Sequence, residues 1–244
     1  MARQGAALEI REGMKRKPGT QVQCLECERR EMRGIALKKA MLYIHGKGGD
    51  AQEADHYREI CAQYEVIGLD YAAWTPWENR EEIRTAFDDL NGRFDRVAVT
   101  ANSIGAFFAM HALADRPVER AFFISPIVNM EKLICDMMGW AGVDERELRE
   151  RGEIETTFGE TLSWKYLSYV RAHPISWMAP THILYGEGDN LTSYETVRRF
   201  SEESGATLTV MRGGEHWFHT PEEMAFLDAW MQRWMDANDG AGCE

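Results

Sequence analysis

The sequence predicts an α/β fold: a doubly wound, mostly parallel sheet, with a small helical cap inserted before the strand that ends at Asp189. Three observations carry this expectation. Short apolar runs alternate with helix-length segments along most of the chain. The runs close in glycine or polar residues, as strands do when their carboxyl ends form a ligand-binding rim. The alternation breaks once, over residues 130–174, where apolar residues recur at helical spacing.

The first expected elements are short. Residues 1–18 are mostly polar and read as an arm or an edge strand. Gln21–Cys27 and Glu31–Leu37 read as two strands, with Val22, Leu25, Ile35 and Leu37 as their apolar contacts. The pair Cys24 and Cys27 has no helix start and no second pair of ligands beside it, so no metal or redox role is expected. Ala40–Ile44 is a central strand ending in His45-Gly46-Lys47-Gly48-Gly49, a tight turn with accessible backbone N–H groups. A helix follows, from Asp50 or Ala51 to Tyr64, and then a strand, Val66–Leu69, closing in Asp70. Thr75, Pro76 and Glu78 give a capped helix start, with Asn91-Gly92 stopping that helix after Leu90.

Val97–Val99 is the next strand and Ala106–Leu113 the next helix; Ala121–Ile124 is again a strand. Residues 130–174 then supply Met130, Leu133, Ile134, Met137 and Met138, a charged piece, and a segment rich in Trp and Tyr. This is the expected cap, with residues 1–129 and 175–244 as the core domain. Its Met and Trp content suits either a small satellite core or an adaptable wall for a substrate. Strand His182–Tyr185, helix Ser193–Ser204 and strand Thr207–Met211 resume the alternation. Thr220-Pro221-Glu222-Glu223 opens a last helix with Leu227, Trp230, Met231 and Trp234 on its buried face.

Composition narrows the function. The chain has 244 residues, enough for one α/β domain with a small insertion, and 44% hydrophobic and 28% charged residues, enough for a core and a soluble surface. A net charge of −12 repels phosphate backbones and anionic membranes, so neither nucleic acid nor membrane is an expected partner. Met1–Thr20 lacks an apolar stretch of signal-peptide length, and the longest apolar region is interrupted by Asn102, Ser103 and His111. A cytoplasmic location is expected. Five scattered cysteines do not suggest a disulfide framework. Oligomeric state is not legible.

The chemistry centres on Ala101-Asn102-Ser103-Ile104-Gly105, between a strand and a helix. A serine with small residues two positions before and after it suits a sharp, strained turn, and the helix behind it offers N–H groups to a developing oxyanion. Serine needs a base and a carboxylate to orient that base. The later strand ends supply them: Gly186-Glu187-Gly188-Asp189 and Gly213-Gly214-Glu215-His216. Glu187 and His219 are the neighbouring competitors; Asp189 is preferred to Glu187, and the Gly213-Gly214 approach favours His216 over His219, which reads as a surface residue beside the cap of the last helix. His45 reads as structural in its turn, and His56, His111, His173 and His182 as ordinary core or surface residues.

Together these segments resemble the α/β-hydrolase superfamily over Ala40 to about Trp234, with Ala101 where the superfamily's elbow usually has glycine. The resemblance implies Ser103 as nucleophile, His216 as acid/base and Asp189 as its partner. It also implies an oxyanion hole from the backbone N–H groups of Ile104 and Lys47, and a cap over the site. The expected activity is hydrolysis of a small-molecule carboxylic ester through an acyl-enzyme, with no metal or cofactor. The same residues would serve a thioesterase, a peptidase or a carbon–carbon hydrolase. A non-catalytic ligand-binding protein on this fold is the alternative of another class.

Overall fold

Apolar strands buried on both faces pair only in parallel sheets covered by helices on each side, and this chain builds such a sheet. The computed structural model describes Gly34 and residues 36–236. The expected arm, the strand over residues 21–27 and the Cys24–Cys27 pair lie outside the described residues, as does most of the strand over 31–37. Ala36 and Leu37 are described and are not in a strand.

Six strands form the main sheet: β1 (Lys39–Ile44), β2 (Glu65–Leu69), β3 (Arg96–Asn102), β4 (Ala121–Ile124), β7 (Thr181–Gly186) and β8 (Thr207–Met211). Their order is β2-β1-β3-β4-β7-β8, and every neighbouring pair is parallel. Alternation along β1 separates two cores. Ala40, Leu42 and Ile44 face one, with α2 (Pro76–Arg93), α3 (Ile104–Leu113) and α7 (Tyr194–Ser204). Met41 and Tyr43 face the other, with α1 (Ala54–Ile60) and α8 (Pro221–Asp236).

Several local expectations change. The helix expected from residue 50 or 51 to Tyr64 is a 3₁₀ turn, Ala51–Glu53, followed by the short α1. Asn91-Gly92 does not stop α2, which continues to Arg93 and is closed by Phe94 N–H donating to Leu90 O at 2.9 Å. A helical glycine costs only about 1 kcal/mol, and Leu90 and Phe94 pack against the core on either side of it. Thr75 occupies the cap position, yet its hydroxyl donates to the Glu78 carboxylate and no side-chain bond to the helix backbone forms.

The insertion is not all helical. It comprises α4 (Met130–Ala141), α5 (Glu145–Arg151), an antiparallel hairpin of β5 (Glu153–Glu155) and β6 (Thr161–Ser163), and α6 (Trp164–Ala172). Each hairpin strand buries a single residue, Ile154 or Leu162, too little alternation to read as a strand. Leu148, Ile154, Leu162 and Leu167 are at most 5% exposed and continue the α2–α3 core, as do Met130 and Met138. Among the described residues, no helix is long and apolar enough to cross a membrane.

Candidate active site

Ser103 stands between β3 and α3 with φ 50 and ψ −119, a strained conformation for a residue with a side chain. Its backbone is held from both sides. Ser103 N–H donates to Ile124 O at 3.0 Å, and its carbonyl accepts from Ala106 N–H and Ile127 N–H at 3.2 and 3.1 Å. Gly105 is dictated by space: a Cβ there would lie 2.4 Å from His45 O and 2.5 Å from Ile44 O. Ala101, by contrast, buries its methyl in the core, which explains why alanine serves in the first small position.

The structure brings the three expected side chains together. Ser103 Oγ lies 2.8 Å from His216 Nε2, and His216 Nδ1 lies 2.7 Å from Asp189 Oδ2. The Asp189 side chain is fully buried, and its other oxygen accepts from Leu191 N–H and Thr192 N–H at 2.8 and 2.9 Å. A carboxylate so surrounded by donors fixes the imidazole's orientation and leaves Nε2 to take a proton from Ser103. The competitors do other things. Glu187 accepts from Gly213 N–H at 3.0 Å, and His219 stacks on Trp217 with ring centres 4.4 Å apart.

The loop carrying His216 is anchored by a residue whose part was not foreseen. Glu223, 4% exposed, accepts from the N–H groups of Glu215, His219 and Thr220 at 2.8, 3.1 and 3.0 Å. Burial alone would raise its carboxyl; the backbone donors outweigh burial and hold it down at about 2. The Thr220–Glu223 spacing signalled a helix start, and Glu223 N–H does donate to Thr220 Oγ1 at 3.2 Å. Nothing in that spacing revealed the grip on Glu215 and His219.

On the opposite side of Ser103 lies the glycine turn. A Cβ on Gly46 would be 3.4 Å from Ser103 Cβ, so the turn packs directly against the serine. His45 points away: it is buried, its ring stacks on Tyr71 at 4.2 Å, and its carbonyl accepts from the Tyr71 hydroxyl at 2.7 Å. Lys47 Nζ donates to both Glu160 oxygens at 2.6 Å, tying the turn to the tip of the β5–β6 hairpin. Ile104 is the first residue of α3, whose N-terminus lies beside Ser103.

A cavity of about 630 Å³ opens above Ser103 and His216. Its lining includes Tyr43, Glu53, Tyr57 and Asn102, together with Leu191, Trp217, Phe218, Met224 and Leu227. All the lining residues lie outside 130–174, and the insertion reaches the site's edge through Glu160, which holds the lining residue Lys47. The apolar side of the insertion packs on the α2–α3 face, so its methionines serve as core. The remaining histidines have partners too. His56 Nε2, on the cavity edge, pairs with Asp228 at 2.8 Å; His111 lies 3.1 Å from the Tyr169 hydroxyl; His182 lies 2.7 Å from Thr207 Oγ1; His173 stacks on Tyr169. Among the described residues, no cluster of three or more His, Cys, Asp or Glu is placed to hold a metal ion.

No protein-family model matches the chain, and comparison with curated proteins finds no relative. Solved structures are similar. Alpha/beta hydrolase domain-containing protein 10 from mouse superposes with a TM-score of 0.64 at 16% identity, over 82% of this chain and 90% of that one. Est1E from Butyrivibrio proteoclasticus gives 0.66 at 17% identity, over 84% and 89%. The esterase PF2001 from Pyrococcus furiosus gives 0.53 at 19% identity, over 82% and 80%. At such identities the likeness speaks for the fold.

Proposed function

We propose that this chain, an α/β hydrolase by fold, is a serine hydrolase that cleaves a carboxylic ester through an acyl-enzyme on Ser103. The observation that supports it most is the unbroken Ser103–His216–Asp189 chain, with separations of 2.8 and 2.7 Å at the floor of a cavity. His216 Nε2 takes the Ser103 proton as Oγ attacks the carbonyl carbon. The tetrahedral oxyanion is held by the N–H groups of Ile104 and Lys47, and Asp189 stabilises the imidazolium. His216 then gives the proton to the leaving alcohol. Water, activated by the same imidazole, attacks the acyl carbon and releases the acid and Ser103.

A carboxylic ester is preferred over thioester, amide or carbon–carbon substrates, which the same residues also serve. Two measurements test the reading. A fluorophosphonate probe is expected to label wild type and not Ser103→Ala, and a panel of p-nitrophenyl esters is expected to turn over. Labelling that persists in Ser103→Ala would place the reactive serine elsewhere. Binding of the esters without turnover would favour a ligand-binding protein.

A further inference from the structure

We propose that the part of the substrate lying in this cavity carries a positive charge, as an alkylammonium group; this rests on the serine hydrolase reading above. The charge inventory of the walls is one-sided. Glu53 lies on the cavity wall, where it accepts from the Tyr43 hydroxyl, which in turn accepts from Asn102 Nδ2 at 2.9 Å. Burial, with Tyr57 and Glu53 beside it, keeps the Tyr43 phenol protonated, so Tyr43 donates and the Glu53 carboxylate remains the acceptor at the end of the relay. Gly49 leaves room for it: a Cβ there would lie 2.6 Å from Glu53 Oε1.

The two other charge-bearing side chains that line the cavity apart from His216 are already matched. Lys47 is held by both oxygens of Glu160, and His56 by Asp228. An anionic substrate would therefore meet Glu53 and no unmatched cation. An exposed aromatic ring completes the environment: Trp217, 72% exposed, lines the same cavity, while Tyr43 and Tyr57 are buried and Tyr43 acts through its hydroxyl on Glu53. Aromatic faces with a carboxylate attract alkylammonium groups in preference to neutral groups of the same shape. The overall charge of −12 steers in the same direction.

The test is a set of matched esters. Butyrate esters of choline, of 3,3-dimethylbutanol and of a carboxylate-ended alcohol place the charge in the leaving group. p-Nitrophenyl esters of acids ending in trimethylammonium, tert-butyl or carboxylate place it in the acyl group. In at least one series, kcat/KM is expected to be about tenfold higher for the cationic than for the neutral ester, and lowest for the anionic one. The cationic-to-neutral ratio is expected to shrink in high salt and to fall to about twofold or less in Glu53→Gln. Benzyltrimethylammonium is expected to inhibit hydrolysis of the neutral ester more strongly than its uncharged isostere, a readout that does not depend on the variant folding. Anionic esters cleaved as fast as neutral ones, or equal inhibition by the charged and uncharged isosteres, would overturn the proposal while leaving the hydrolase reading intact. Absence of turnover together with absence of labelling at Ser103 would overturn both.

Discussion

Two segments face each other across Ser103 and are held in opposite ways. The loop bearing His216 is anchored from inside: the buried Glu223 carboxylate gathers three backbone N–H groups, and Gly186 lets the loop backbone approach so closely that a Cβ would be 2.4 Å from Glu215 O. The turn bearing Lys47 leaves the core at the buried His45 and is tied further out at the surface. Apart from Gly49 N–H donating to Gly46 O at 3.2 Å, its tie to the insertion is an ion pair whose side chains are 56% and 41% exposed. A buried charged acceptor bonded to backbone donors resists salt and water; an exposed pair is screened by both. On the proposed reading, the base side is built into the core, and the oxyanion side is tied through an exposed pair.

The largest effect expected from breaking this arrangement is on chemistry. His216→Ala should lower kcat by about 10⁴-fold or more, and Asp189→Asn by a comparable order, because either change leaves Ser103 without a correctly oriented base. Single-turnover kinetics on an activated ester would read it; a loss under tenfold would contradict the assignment.

Next in size is Glu223. Its removal leaves three partly buried N–H groups without their acceptor, so Glu223→Ala should cost about 1–3 kcal/mol in denaturant unfolding and lower kcat through misplacement of His216. The pH dependence has a definite sign. The folded carboxyl is depressed to about 2 from an ordinary 4.5, so its contribution is complete above pH 4.5 and is lost as pH falls toward 2. Wild type and Glu223→Ala should therefore converge in stability across that acid window. Parallel curves would mean that the carboxylate is not what holds the loop.

The smallest effect belongs to the glycine turn. Glu160→Gln and Lys47→Ala should each cost less than about 1 kcal/mol, since both leave the Lys47 backbone N–H in place. Each should lower kcat only a few-fold, and the double variant should add nothing beyond either single change. Wild-type kcat should drift toward the variants' value as salt rises. Additive effects of the two changes would show that the pair does not act as a unit.

The same contrast explains what the sequence revealed. Ser103, Asp189 and His216 were legible because each follows a short apolar strand and sits among glycines or alanine, a local pattern imposed by backbone crowding. The sheet was legible because β1, β3, β4 and β7 are nearly continuous apolar runs. The hairpin was not, because Glu-Ile-Glu and Thr-Leu-Ser carry one apolar residue each. Nor was the cavity wall. Tyr43, Glu53 and Asn102 come from three separate segments, and only the folded register sets Asn102 Nδ2 2.9 Å from the Tyr43 hydroxyl. Which face the insertion would cover depended on contacts such as those of Leu148 and Leu167, which no spacing rule discloses.

Because the apolar side chains of residues 130–174 merge with the main core instead of resting on it, that segment cannot swing aside without partial unfolding. The side chains that line the cavity come from elsewhere, among them His56 and Tyr57 of α1, Met224 and Leu227 of α8, and Trp217. On the proposed reading, substrate entry is therefore not gated by a hinge of that segment.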